Sequence, residues 1–128
     1  MRKEILVIDG NQAIRFLLQT IFRKYYKVVA VNDGISAMEH LRRNPKPHLI
    51  VASPELADMG DWDLIRHLSL SPLYNEIPLV VISSKPENML RANIMKYNVA
   101  DCFSKPFDPL RLIAATDAIL LGSRMHKL

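Results

Sequence analysis

One cysteine, Cys102, stands in a chain of 128 residues. It excludes an internal disulfide and any cysteine-based metal cluster. No apolar run approaches the ~20 residues needed to span a membrane. The apolar part of the N-terminus, Ile5 to Ile8, is too short for a signal peptide, so a cytoplasmic location is expected. The four glycines are scattered. Neither G-x-G-x-x-G nor a Walker lysine motif occurs, which removes the Gly-rich phosphate loops. His40, His48, His67 and His126 show no metal-ligand spacing, and His48 reads as an edge residue before a strand. No Ser-His-Asp spacing is present. Ser53 sits in Ala52-Ser53-Pro54 and not in the G-x-S-x-G of a nucleophile elbow.

What remains is an ordinary globular chain. Apolar residues make up 49% and charged residues 23%. The length fits one domain over residues 1–128, with its core at about 3–121 and a short basic tail at 122–128. Such a chain buries about two-thirds of its unfolded surface. The formal charge is +4. The basic residues are spread out, and Arg15, Arg23, Lys24 and Lys27 alone hint at one face. That balance permits an acidic partner. Nucleic acid is the minor reading, because no continuous basic stripe is present.

The central stretch is Pro47-His48-Leu49-Ile50-Val51-Ala52-Ser53, a buried strand that ends on a small hydroxyl residue. A strand-then-helix rhythm repeats around it. Glu4 to Ile8 is a strand covered on both faces, closed by the turn signal Asp9-Gly10-Asn11. Asn11 can cap a helix, on which Ile14, Leu17, Leu18, Ile21, Phe22 and Tyr25 form one apolar stripe. Lys27 to Val31 is a second strand, and Asn32-Asp33-Gly34 turns into a helix carrying Ala37, Met38 and Leu41 inward. That helix stops before Pro45. After Ser53 comes a polar, breaker-rich loop to Asp61. Asp61 or Asp63 opens a short helix with Leu64, Ile65 and Leu68 inside. Leu79 to Ile82 is a fourth strand. Ser84 and Glu87 have capping-box spacing before a helix with Leu90, Ile94 and Tyr97 on its inner face. Asp101 to Phe103 is a fifth strand. Asp108-Pro109 opens a last helix, with Leu112, Ile113, Thr116, Ile119 and Leu120 inward and Gly122 as its stop. The tail from Ser123 to Leu128 is expected to fray.

Five strands alternating with five helices require an α/β fold, a parallel sheet with helices on both faces. In such sheets the site lies outside the carboxyl ends of the strands. Asp9, Gly10, Ser53, Pro54, Glu55, Ser83, Ser84, Lys105 and Pro106 fall there, from four separate strand ends.

At these strand ends the sequence resembles the receiver domain of two-component response regulators, the CheY-like (βα)5 fold, a flavodoxin-like doubly wound sheet of order 2-1-3-4-5. The resemblance runs from Lys3 to about Leu121. It rests on Ile5-Leu6-Val7-Ile8-Asp9 and its turn, Asn32-Asp33-Gly34 with Ala37-Met38, and Pro47-His48-Leu49-Ile50-Val51. Met59 in its loop, Ile77 to Ser83, and Lys105-Pro106-Phe107 complete it. The family holds Mg²⁺ on an acidic pair after the first strand and phosphorylates an aspartate after the third. A Thr or Ser ends its fourth strand and a Lys its fifth. A hard dication wants several oxygen ligands, and phosphoryl transfer needs the metal and the Lys to neutralise developing charge.

Carried over by position, Asp9, Ser83 and Lys105 are kept. The second acid is Gly10, and the acceptor aspartate is Ser53. The resemblance places Glu55 where the family lends a backbone carbonyl to the metal. Ala57 replaces the loop proline, Gly60-Asp61 reverses the usual Asp-Gly order, and Cys102 stands where an aromatic is common. Either Phe103 or Tyr97 replaces that aromatic sterically, or the coupling it serves is absent. The resemblance also raises a cis Lys105–Pro106 peptide.

These departures imply a pseudo-receiver, a non-enzyme whose phosphate switch is lost. With Asp9 and Glu55 the only metal candidates, Mg²⁺ binding is expected weak or lost, and no cofactor is expected. A serine hydroxyl without an adjacent base is a poor nucleophile, and Lys105 is expected to pair with Asp9. The expected function is a phosphorylation-independent protein-binding module of bacterial signalling. Its partner would be a histidine kinase or an output protein, met through the face of the fourth helix, fifth strand and fifth helix. Met89, Arg91, Lys96, Asn98, Cys102 and Arg111 are the candidates on that face. The module would be a monomer or weak homodimer away from membranes. The alternatives are an atypical phosphoacceptor at Ser53, Glu55 or Asp58, and a sensor of a small ligand or nucleotide.

Overall fold

The structure, a computed structural model, describes residues 2–125. Five strands alternate with five helices: β1 (Glu4–Ile8), α1 (Gln12–Phe22), β2 (Lys27–Val31), α2 (Gly34–Arg43), β3 (Leu49–Ala52), α3 (Asp63–Leu70), β4 (Leu79–Ser83), α4 (Glu87–Ile94), β5 (Asp101–Ser104) and α5 (Pro109–Met125). The strands form one parallel sheet in the order β2-β1-β3-β4-β5. The parallel sheet is the one expected from the alternating pattern, and its flavodoxin-like order is the one the resemblance implies. No helix among the described residues is long and apolar enough to cross a membrane.

Strand alternation divides the core into two layers. Leu6, Ile8, Ile50, Ala52, Leu79 and Val81 face one layer, which Leu41 of α2, Leu64, Ile65 and Leu68 of α3, and Leu90 of α4 cover. Ile5, Val7, Leu49, Val51, Val80 and Ile82 face the other, which Leu18 and Phe22 of α1 and Leu112 and Leu120 of α5 cover. The strands are apolar at consecutive positions because both faces are dry.

Two of the helix starts follow the sequence. Asn11 caps α1 by accepting from the Ile14 N–H at 3.1 Å, and Asp33 caps α2 by accepting from Ser36 at 2.8 Å. Other details differ. Ser84 does not cap α4. Pro86 occupies the cap position with extended ψ and no side-chain bond, so the fixed proline φ delays the helix to Glu87. The start of α3 does agree with one of the two acids offered, Asp63, which follows Trp62 in a left-handed conformation. Tyr25 is exposed beyond the end of α1, and Tyr26 takes the buried place. Gly122 does not stop α5, which continues to Met125; a helical glycine costs only about 1 kcal/mol. Of the tail expected to fray, 123–125 are assigned to α5, while 126–128 lie outside the described residues. His48 is exposed, and its Nδ1 accepts the Glu4 N–H at 3.0 Å.

Candidate functional site

Register brings the candidate residues together. Ile8 lies opposite Ala52, and Ser83 lies opposite Ser104. The residues that follow these strands therefore share one edge of the sheet. The Ser53 N–H donates to the Ile8 carbonyl at 2.8 Å, and the Lys105 N–H donates to the Ser83 carbonyl at 2.7 Å. Asp9, Ser53 and Ser83 are all buried polar residues there.

The buried side chains at this edge, Asp9, Ser53 and Ser83, each have a partner within the chain. Lys105 Nζ donates to Asp9 Oδ2 at 2.9 Å. Asp9 Oδ1 accepts the Asn11 N–H at 2.8 Å, and the Asp9 carbonyl accepts from Arg15 Nη1 at 2.8 Å. Ser53 Oγ donates to the Glu55 carbonyl at 3.1 Å and accepts the Glu55 N–H at 3.2 Å, so the hydroxyl closes on its own loop. Ser83 Oγ donates to Glu55 Oε1 at 2.8 Å and accepts the Lys85 N–H at 3.1 Å. Gly10 is exposed and adds no side chain. The peptide Lys105–Pro106 is cis, in line with the resemblance.

Two contributions were not visible in the sequence. The side chain of Glu55, and not only its backbone, enters the site by tying the β3–α3 loop to the end of β4. Asp58 lies at the N-terminus of α2, where its carboxylate accepts the Gly34 and Ile35 N–H groups at 3.0 and 2.9 Å. Those two bonds hold its carboxyl below the usual carboxylate value. Both contacts bridge residues far apart in sequence, and no local spacing announces them.

The residues expected on the partner face differ in exposure. Met89, Arg91, Lys96 and Arg111 are exposed. Arg91 bridges Glu87 at 2.8 Å and Asp101 at 3.8 Å. Asn98 is exposed, but its amide donates to the Asn75 carbonyl at 2.7 Å, which ties it to the α3–β4 connection. Cys102 is not on the face. It is 1% exposed, because strand alternation turns it into the α2–α3–α4 layer. Burial pushes its thiol up. Tyr97 packs against that same layer, whereas Phe103 belongs to the opposite one. Of the two residues offered in place of the missing aromatic, only Tyr97 shares the layer of Cys102.

Fold and site together define a (βα)5 protein with its polar cluster at the carboxyl edge of the sheet. The description "Response regulator receiver domain" matches residues 5–117, and the chain belongs to that family. It is 27% identical over 110 residues to the hybrid signal transduction histidine kinase D of Dictyostelium discoideum, covering 86% of this chain and 7% of that one. It is 29% identical over 126 residues to the alkaline phosphatase synthesis transcriptional regulatory protein PhoP of Bacillus subtilis, covering 98% of this chain and 51% of that one. The chain thus spans about half, or far less, of these two relatives. Among solved structures it superposes on a sensor protein from Polaromonas sp. JS666 with a TM-score of 0.84 and 24% identity, covering 95% of this chain and 98% of that one.

Proposed function

We propose that this receiver domain is a protein-binding module whose phosphate switch has been replaced by internal bonds. The observation that carries the reading is the Lys105–Asp9 ion pair at 2.9 Å. The lysine that would neutralise a phosphoryl group instead neutralises the remaining carboxylate. A hard dication needs several oxygen ligands, carboxylates first. Here both Asp9 oxygens are engaged, Gly10 brings no ligand, and Glu55 Oε1 holds Ser83. No group of three or more His, Cys, Asp or Glu side chains suited to a metal occurs among the described residues. These residues do not fit Mg²⁺.

The other phosphoacceptor readings meet physical obstacles. Ser53 is 4% exposed and both roles of its hydroxyl are used, so a kinase cannot reach it without opening the loop. Asp58 is exposed, yet its oxygens bond the α2 N-terminus. The supported role is recognition of a signalling protein through the exposed side chains of α4 and the first turn of α5, among them Met89, Arg91 and Arg111.

An NMR titration with Mg²⁺ and then beryllofluoride, an aspartyl-phosphate mimic, tests this. The natural chain should show no shifts at Asp9, Ser53 or Ser83. The double variant Ser53→Asp with Gly10→Asp should respond, and a Cβ at Gly10 meets nothing closer than the Asn32 carbonyl at 3.7 Å. Site shifts in the natural chain would refute the reading.

A further inference from the structure

Because all five strands are parallel, their starts share the edge opposite Asp9, Ser53, Ser83 and Lys105. On the β2-β1-β3 half, that edge is basic. Arg2 and Lys3 lead into β1, Arg23 and Lys24 follow α1, Lys27 opens β2, Arg42 and Arg43 end α2, and Lys46 precedes β3. Arg15, which the sequence grouped with Arg23, Lys24 and Lys27, bonds the Asp9 carbonyl at the other edge. Three acids interrupt the basic end, and each is engaged. Glu4 pairs with Lys27 and His40, Glu39 pairs with Arg43, and Asp117 accepts from the Tyr26 hydroxyl. Among the described residues, Arg2, Lys3, Arg23, Lys24, Arg42 and Lys46 make no ion pair. Glu76 and Asp101 lie towards β4 and β5, on the far half of the edge.

This end is also concave. Two cavities of about 540 and 430 Å³ open on it, and Arg2 lines both. Tyr25, Tyr26 and Leu121 give the first an apolar wall. Lys27, Lys46 and His48 line the second. Arg2 Nη1 is held by the Arg23 carbonyl at 2.8 Å, and Lys3 Nζ by the Leu120 carbonyl at 2.9 Å. Both cations are thus placed in advance and keep further donors for a ligand. Tyr25 is 65% exposed, with the Lys24 ammonium 5.9 Å from its ring centroid.

We propose that this basic end is a docking surface for an acidic peptide segment that carries an apolar side chain. The unpaired cations match carboxylates, and the Tyr25–Leu121 wall matches the apolar residue. Glu4 and Asp117 in the walls oppose a continuous phosphate backbone but leave room for carboxylates placed singly. Concave cavities suit a side chain better than a flat lipid surface. The surface lies at the other end of the sheet from the switch site, so the proposal stands whether or not that site accepts phosphate.

The test is amide shift mapping with a synthetic peptide of repeated Glu-Glu-Leu, beside the same peptide with Gln for Glu, an oligothymidylate, and phosphatidylserine vesicles. The Glu peptide should shift Lys3, Lys24, Tyr25, Lys27 and Lys46 and leave Ser53 and Ser83 unmoved. Raised salt should weaken it. The exposed double reversal Arg2→Glu with Lys46→Glu should bind about tenfold more weakly while keeping a folded spectrum. Tyr25→Ala should weaken it independently. The proposal fails if the Glu peptide shifts none of these amides, or if the Gln peptide, oligothymidylate or vesicles shift them as strongly. It also fails if both variants bind unchanged, or if dilution alone moves these amides, which would assign the surface to a second copy of the chain.

Discussion

Lys105 Nζ and Asp9 Oδ2 lie 2.9 Å apart at the carboxyl edge of the sheet, with side chains 20% and 5% exposed. The pair joins the end of β1 to the β5–α5 loop across a sequence separation of 96 residues. Asn11 holds the second oxygen, so each Asp9 carboxylate oxygen has one partner within the chain.

Removing only the lysine should expose how far the pair is structural. A buried charge left without its partner costs more than the pair contributes, and partial exposure of Lys105 reduces that cost. Lys105→Ala should therefore lower stability by about 1 to 3 kcal/mol in urea unfolding. The double change Asp9→Asn with Lys105→Met keeps an acceptor for Asn11 and removes both charges. It should lie within about 1 kcal/mol of the natural chain. A single variant as stable as the natural chain would show that the pair does not form in solution.

Asp58 predicts an acid-side effect. Its folded carboxyl is held below the ordinary value of 3.8 by the Gly34 and Ile35 N–H groups. A depressed acid contributes stability above its unfolded value and loses it as pH falls through the folded one. Asp58→Ala should unfold at lower urea than the natural chain at neutral pH. The gap should close as pH drops below 3.8. A gap that persists unchanged in acid would mean that the carboxylate does not cap α2.

Tyr26 predicts the opposite limb. Its hydroxyl donates to Asp117 Oδ1 at 2.5 Å, and burial, then that carboxylate, push the phenol well above its ordinary 10.0. A raised phenol contributes stability that is complete below the unfolded value and is lost as pH rises through the folded one. Tyr26→Phe keeps the edge contact with Phe22, whose ring centroid is 6.5 Å away. It should cost about 1 to 2 kcal/mol at neutral pH. Urea midpoints of the two proteins should converge as pH rises past 10.0. Parallel curves would sink this account.

The strands were legible because dry, continuous apolar runs such as Ile5 to Ile8 are bounded by turn residues. The Asp9–Lys105 pairing was legible as well: with Ser53 at the third strand end, Asp9 is the carboxylate left for the lysine. Tyr25 was misplaced because the stripe from Phe22 continues equally to the third or fourth residue. The choice is made where the chain leaves α1: the Phe22 carbonyl accepts both the Tyr25 and the Tyr26 N–H, and of the two side chains only that of Tyr26 is buried. The Asp58 bonds to α2 and the Glu55–Ser83 bond depend on how loops fold back across the sheet edge, which periodicity does not encode.

Trp62 carries the least expected backbone, with φ at 68° in front of α3. A left-handed conformation costs a bulky L-residue about 1 to 2 kcal/mol, so other contacts must hold it. The Trp62 N–H donates to the Pro54 carbonyl at 2.8 Å, and its ring stacks on Tyr97 with centroids 5.9 Å apart at 19°. Trp62→Ala loses the stack and keeps the strained backbone. Trp62→Gly loses the same stack but frees the backbone, so it should be more stable than the alanine variant by about 1 kcal/mol. Trp62 is the only tryptophan, and its emission should move to the red in Tyr97→Ala as the stack opens. Equal stability of the glycine and alanine variants would mean that Trp62 does not hold this conformation in solution. An unmoved emission in Tyr97→Ala would mean that the ring is held by the α3 side alone.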